Sequence, residues 1–597
     1  MAVSWVASLR DLSREDPRAL LIRSAAVIVV LAMLLFGWQA VTAVRALNDA
    51  KGMAGGLADA VSSGDVPRAR ALLRDFDKAT TRAHHRTDGL LWWLGARVPV
   101  LGRNVDAVST IAAQTDAIAD DALPGIVEVA DEVRADTFRP KGGRVDLKAV
   151  AKALPVLAAT DRVLADADEE VSRIRPERLL APLQAPASEF TQRTHEAATA
   201  AAAAHDAGRL LPTMLGGTGP ARRYLLMVLN NAEVRSLGGM PGSFAILEAR
   251  RGKVRMLEQG NAQIRRLAKL NVKPEVRAGF SRNVGKDLRD VAIIPDFPRA
   301  AFLASRMAGA HWETKFDGVV AIDPVALGYI LGAVGQVDIG DGMVINQANA
   351  AQTLLNGIYM RYPVLPDQAE AQDAAFERAA RRTFNALTGG RGDSVGAVRA
   401  LVRGVREDRI MLWSAHASER ARIQSTGISG AMTDRGQLDR PQVGVYLTDT
   451  SQAKLDWYLR PETRVEATRC YSGDVQDLVL TTTLRSEVQQ STPLPVSIVG
   501  FGKRVPIGII GLSVRIVAPP GGEIRSIEID GKPAPVGAEL YKGRRIARFT
   551  NLLSPGESTV IVSKVRSGRS MPGAPLLKAT PSAHSDDENV LGPSACN

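Results

Sequence analysis

The sequence predicts a multidomain chain with an N-terminal transmembrane helix, an α-helical hairpin region, an α/β (α+β) sandwich domain and a C-terminal β-sandwich. Three observations carry this. A long apolar run without charge opens the chain, and an Ala-rich stretch with helical spacing follows it. Short apolar runs alternating with amphipathic stretches then give way to strand-like segments separated by turn residues. At 597 residues the chain exceeds what one hydrophobic core supports.

Residues 24–44 read SAAVIVVLAMLLFGWQAVTAV. As a helix they span about 31 Å, which matches a bilayer core. The competing reading is a cleaved signal with Val41-Thr42-Ala43 as its processing site, but such signals carry only about 7–15 apolar residues. Arg10, Arg14, Arg18 and Arg23 precede the run, while Arg45 and Lys51 follow it closely. That bias places residues 1–23 in the cytoplasm and everything after residue 45 outside.

Residues 45–212 form the extracytoplasmic helical region. Val105, Val108, Ala112 and Ile118 share one stripe, and Leu147, Val150, Leu154 and Leu157 share another. Breaks fall at Gly64 with Asp65 as cap, at Gly95 to Gly102, and at residues 139–143. In LWWLGARVPVLG, Trp92 and Trp93 suit either a hairpin core or an aromatic belt at the membrane surface. Residues 218–435 are the α/β domain, where YLLMVL, SFAILEA and KVRMLE make a hairpin-like start that argues against a purely parallel sheet. Residues 440–566 are the β-sandwich, and residues 567–597, rich in Ser, Pro, Gly and acids, are expected to form a flexible tail.

The net charge of +11 favours anionic partners. The outward topology removes nucleic acid and leaves lipid headgroups, polyprenyl phosphates and wall polymers. Cys470 and Cys596 lack the spacing of a zinc or redox site. Outside the cell they can pair as a disulfide that ties down the C-terminus, worth roughly 4–5 kcal/mol on the chain-entropy account, or remain two thiols.

Three clusters can carry chemistry. Residues 222–247, RRYLLMVLNNAEVRSLGGMPGSFAIL, place Asn230, Asn231, Glu233 and Arg235 in a glycine-bearing loop between two strands. Such a loop can present backbone N–H groups and the Arg235 fork to a phosphate, or bury Arg235 against Glu233. Asp287, Asp290, Asp296, Asp317 and Asp323 form an acidic set. Its members at a strand end can hold Mg²⁺ with a substrate phosphate, or cap helices, as Asp296 and Asp323 do well ahead of a proline. In FERAARRTFNAL, Arg378, Arg381 and Arg382 share a helix face that binds phosphate or is simply solvated, and Arg361 joins them if its loop folds back.

These blocks resemble DUF4012, a family of envelope proteins common in actinobacteria. NNAEVRSLGGMPGSF is similar to its N-N-A-E-x-R-x-x-G-G-x-x-G-S signature, and PDFPRAA, FDGVVAIDPVAL, RIMLWSAHASERARIQSTGISGAM and VGVYLTDTSQAKLDWYL resemble other blocks, over about residues 85–565. More distantly, FDGVVAIDPVALGYILGAVGQVDI is similar to a stretch of the LytR-CpsA-Psr proteins, anchored enzymes that transfer polyprenyl-pyrophosphate-linked glycopolymers to cell wall with Mg²⁺ and clustered arginines. Their R-x-x-R-Q helix resembles Arg378, Arg381 and Arg382, although Arg382 stands at the glutamine and no S-I-P-R-D motif is present.

The resemblance implies an extracytoplasmic membrane protein that binds, or as a phosphotransferase transfers, a polyprenyl-phosphate-linked or anionic wall glycopolymer. It carries phosphate contact to Arg378, Arg381 and Arg382; the reading of the loop and the acidic set adds Arg235, Asn230 and Asn231 as ligand contacts and Asp317 and Asp323 as Mg²⁺ ligands. The alternative is a noncatalytic scaffold that recruits envelope proteins. The first reading requires the arginines to converge on one pocket.

Overall fold

The computed structural model describes residues 17–63, 65–99, 101–132, 143–217, 219–261, 269–363, 368–424, 426–433, 439–491, 493–537, 539–585 and 589–596. Arg10, Arg14, Gly64 and residues 139–142, all read in the sequence, lie outside these ranges. The chain divides into two compact units, Met1–Ala135 with Lys148–Arg209, and Asp136–Leu147 with Leu210–Asn597.

The first unit is helical. Its opening helix, Pro17–Ser63, runs well past the apolar segment, and its stretch Val30–Val61 is long and apolar enough to cross a membrane. Two environments meet along it. Leu31, Met33, Leu34, Trp38 and Val41 are exposed, whereas Ala43, Ala46, Ala50 and Ala60 are buried in the helical bundle, where small side chains let helices approach closely. The next helix, Val66–Thr87, is capped by Asp65, whose carboxylate accepts from the Arg68 N–H at 3.2 Å. The two tryptophans part: Trp92 is buried with its ring 5.0 Å from Phe36, and Trp93 is exposed under the Arg97 guanidinium. Helices Gly102–Ala117, Leu123–Glu132, Leu147–Ser172 and Ala181–Met214 follow.

The second unit opens with β1 (Arg222–Asn230), β2 (Met240–Arg250), β3 (Lys253–Asn261), β4 (Gly318–Ile322), β5 (Val337–Gly340), β6 (Met343–Ile345) and β7 (Ile410–Ser414). Five of these make a mixed sheet in the order β3-β2-β1-β4-β7, parallel only between β1 and β4. The antiparallel start follows from the short β1–β2 and β2–β3 connections, which leave no room for a crossover helix. One sheet face packs on helix Phe297–His311, where Leu225, Met227, Val319, Ala321, Leu303 and Met307 are sealed in a single core. Helices Pro324–Val334 and Ala369–Thr388 supply side chains over the other face.

The strands that follow are β8 (Gln442–Asp449), β9 (Leu459–Tyr471), β10 (Val475–Ser486), β11 (Ile510–Val517), β12 (Glu523–Ile529), β13 (Lys532–Ala534), β14 (Glu539–Tyr541), β15 (Arg544–Leu553), β16 (Ser558–Arg566), β17 (Leu576–Ala579) and β18 (Val590–Leu591). They form two sheets, β13-β12-β16-β10-β9-β18 and β14-β15-β11-β8-β17, whose inward residues, such as Leu480 and Val514, share one core.

The C-terminal segment differs from the expected flexible tail. β17 pairs with β8 and β18 with β9, Ala583 is fully buried, and Cys470 is bonded to Cys596. The physical reason is that edge strands offer unpaired backbone groups, and a segment without apolar periodicity can satisfy them through its main chain alone.

Candidate functional site

The sheet face opposite helix Phe297–His311 is not sealed. A cavity of about 410 Å³ lies between it and the helices, a size suited to a small-molecule site. Leu226 and Val228 of β1, Met256 of β3, and Val320 and Ile322 of β4 form its floor. Leu327 and Ile330 come from helix Pro324–Val334, and Leu354 and Tyr359 from the helical stretch Thr353–Arg361. Helix Ala369–Thr388 gives Phe376, Ala379, Ala380, Thr383, Phe384 and Leu387, the i, i+3, i+4 row on one side of that helix. Most of the wall is apolar, and Thr383 adds a buried hydroxyl that has no hydrogen-bond partner.

Polar groups gather at Asn230, Glu233, Asn261, Arg289, Gln372, Asp373 and Lys454. Asn230 Nδ2 donates to the Tyr359 hydroxyl at 2.9 Å, and Asn261 Nδ2 to Asp373 at 2.7 Å. Burial pushes the Tyr359 hydroxyl up to about 12. Lys454 Nζ lies 3.0 Å from Glu233. Burial works against the Lys454 charge, but Glu233, with Tyr359 and Asp449, outweighs it and holds the ammonium protonated above its ordinary range. Arg289 spends Nε and Nη2 on Asp287, which leaves Nη1 outside that pair.

The glycine-bearing loop has a different role from the expected phosphate cradle. Residues 231–239 are buried throughout, and the N–H groups of Ala232, Glu233, Val234, Leu237 and Gly238 are taken up within the protein. Val234 N donates to Asp456 at 2.8 Å, Ala232 N to Asn230 Oδ1, and Leu237 N to the Ala292 carbonyl. Gly238 sits at φ +114°, and a Cβ on Gly239 would come within 2.3 Å of the Asn230 carbonyl carbon, so the turn demands both glycines for close packing of the chain on itself. Arg235 is buried too. Its Nη1 donates to the Val234 carbonyl and lies 3.8 Å from Asp449, not against Glu233. Burial raises the Asp449 carboxyl, and burial with Asp449 as neighbour raises Asp456 well above the usual carboxylate range. Asn231 is fully buried, donating to Asp323 and to the Pro581 carbonyl.

The arginines do not converge on the cavity, and Arg361 joins Arg378 and Arg382 elsewhere. Arg378 Nε donates to the Ile339 carbonyl and its Nη2 to Asp341, Arg382 donates to the Asp338 carbonyl, and Arg361 donates to the Asp341 carbonyl. Together they hold the β5–β6 hairpin. Arg381 is exposed on the same side, away from the apolar row.

The aspartates are separated as well. Asp323 caps helix Pro324–Val334 through the Ala326 N–H and pairs with buried Arg409 at 2.8 Å. Asp317 binds Arg222, His416 and the Arg223 N–H, contacts that overcome burial and lower its carboxyl. Asp296 sits at the cap position but accepts instead from Met432 N and the Tyr541 hydroxyl. Among the described residues no three His, Cys, Asp or Glu side chains come together as a metal site.

Of the expected ligand contacts and Mg²⁺ ligands, Asn230 and Asp323 line the cavity, and Asn231, Arg235, Asp317, Arg378, Arg381 and Arg382 do not. Tyr359, Arg289 and Lys454 went unread. Their signal lies in pairings across distant segments, apart from the apolar row of helix Ala369–Thr388, which its own spacing displays.

Residues 219–359 match the family described as Protein of unknown function (DUF4012). The matched stretch carries β1 to β6, and with β1, β3 and β4 the cavity floor. No curated protein and no solved structure matches the chain, so the LytR-CpsA-Psr resemblance has no counterpart among these comparisons.

Proposed function

We propose that this chain is a single-pass membrane protein, with its N-terminus cytoplasmic and its bulk outside, that holds the apolar chain of a phosphate-bearing envelope glycolipid of the polyprenyl-phosphate type. The observation that carries the reading is the cavity: a sheet face and the helical segments over it leave about 410 Å³ of largely apolar space, with the Arg289 guanidinium among its polar lining. Evolved cores close-pack, so a space of this size beside a sealed core on the opposite face of the same sheet suits an apolar occupant. Arg289, with one amino group outside its pair with Asp287, is the phosphate contact in this reading, in place of Arg235, Arg378, Arg381 and Arg382. The Cys470–Cys596 bond supports the outward placement, because such bonds persist in oxidising compartments. The proposal assigns binding and no bond-making step.

The test is lipid extraction and mass spectrometry of the full-length protein purified from its own membranes. Wild type should carry a phosphate-bearing prenyl or similar long-chain lipid. Val228→Phe, which fills the floor, should lose it, and Arg289→Gln should lose the phosphate-bearing species selectively. A wild-type protein that carries no lipid, or a Val228→Phe protein that carries as much as wild type, overturns the reading and returns the chain to the scaffold alternative.

A further inference from the structure

One helix beside the cavity shows an outward face that its composition does not suit to water. Helix Ser394–Arg406 reads SVGAVRALVRGVR. Its inward side is tightly packed: Ala400 is buried, and a Cβ on Gly404 would meet Ile410 at 2.6 Å. Its outward stripe is apolar, with Val398 52%, Leu401 36% and Val402 51% exposed. Arg399, Arg403 and Arg406 follow along one flank, and the helix contains no acidic residue. A helix that merely faced solvent would place its polar residues outward and its apolar ones inward. Here three surfaces occur in sequence around the axis: packed, apolar and exposed, then basic. Leu401 also belongs to the cavity wall, so the helix forms part of its lip.

We infer that helix Ser394–Arg406 docks on an anionic lipid surface, with Val398 and Val402 in the acyl boundary and Arg399 and Arg406 at the headgroups, and that the ligand enters the cavity past Leu401. The entry step rests on the lipid-binding reading above, and the docking step does not. A bilayer fits better than a second copy of the chain. Three exposed apolar side chains fall far short of the roughly 800 Å² per partner that a stable dimer buries. Arg403 is held by Glu407 at 2.8 Å, which leaves Arg399 and Arg406 as the flanking cations, and long arginine stems suit burial up to a headgroup. The chain also carries an apolar helical span of its own, so a bilayer is at hand.

The experiment uses the full-length chain in nanodiscs of phosphatidylcholine alone or mixed with phosphatidylglycerol. Because both native cysteines are joined, Val402→Cys introduces a sole thiol for a polarity-sensitive dye, and Val560→Cys on β16 serves as the exposed control. In the anionic discs the dye at 402 should shift to the blue and resist quenching by aqueous acrylamide, while the dye at 560 does neither. Arg399→Gln should weaken the preference for anionic discs by about fivefold, the weight of one basic residue at such a surface. Equal quenching at both positions in anionic discs overturns docking. So does shielding at 402 that persists in detergent and grows with protein concentration, which would assign the face to a second copy.

For entry, Val398→Asp combined with Val402→Asp should slow uptake of a fluorescent polyprenyl phosphate from anionic liposomes, yet leave retention by protein loaded in detergent unchanged. Uptake at the wild-type rate overturns the entry role. Failure of wild type to retain the probe in detergent overturns it through the cavity reading instead, and leaves the dye result to decide docking.

Discussion

The two faces of the five-stranded sheet are built from the same strands and differ in what they do. In β1, Leu225 and Met227 point to one side and are sealed against helix Phe297–His311, while Leu226 and Val228 point to the other and remain half-buried. β4 repeats the contrast, with Val319 and Ala321 sealed and Val320 and Ile322 open. Side chains of the same type thus serve as core on one face and as cavity wall on the other. Apolar character on its own therefore does not separate stability from binding; how completely the facing layer closes does.

The contrast is sharpest for truncation. Met227→Ala should destabilise the protein by about 2–5 kcal/mol, because a rigid neighbourhood keeps the new void. Val228→Ala only enlarges a space that already exists and should cost under about 1 kcal/mol. Chemical unfolding of the two variants in detergent measures both, and equal losses would mean that the cavity face is as tightly packed as the other. The reverse substitution separates the faces by a somewhat smaller margin. Val319→Phe overpacks the sealed side and should cost about 1–3 kcal/mol. Val320→Phe has room and should leave the unfolding midpoint within about 0.5 kcal/mol of wild type while reducing bound lipid.

These pairs also show what the sequence could and could not reveal. The run YLLMVL reads correctly as a strand with apolar residues on both sides, and the mixed sheet follows from the short links after it. A half-filled face leaves the same pattern as a filled one, so the cavity is invisible until the helices are in place. In helix Ala369–Thr388 the arginine row attracts attention by charge, while Phe376, Ala379, Ala380 and Thr383 on the other row look like ordinary core. The Glu233–Lys454 pair joins residues more than two hundred positions apart, and no spacing rule reaches that far. Residues 567–596 mislead through composition, since strands such as β17 and β18 take their order from backbone pairing and from Cys596.

A smaller effect separates the rim from the floor. Tyr359 carries the one hydroxyl that Asn230 Nδ2 contacts, and burial pushes it up to about 12 from an ordinary value of 10.0. The folded state therefore holds this proton more tightly than the unfolded chain. Its contribution is complete below pH 10 and is lost as the pH rises through about 12. Tyr359→Phe should cost about 1 kcal/mol at neutral pH through the lost hydrogen bond, and should flatten the decline in stability between pH 10 and 12. An alkaline decline identical to wild type would show that Tyr359 is not the group responsible.

The smallest expected effect tests the other row of helix Ala369–Thr388. Arg381 is exposed and lies on the side away from the cavity, so Arg381→Gln should change stability by less than about 0.5 kcal/mol and leave bound lipid at the wild-type level. Arg289→Gln, at the rim, should lower the phosphate-bearing lipid in the same mass-spectrometric assay. The pair is informative because both variants remove one exposed or half-exposed guanidinium and differ chiefly in which surface it serves. If Arg381→Gln stripped the lipid and Arg289→Gln did not, the phosphate would lie on the basic face of the helix, and the space above the sheet would have to be explained without a ligand.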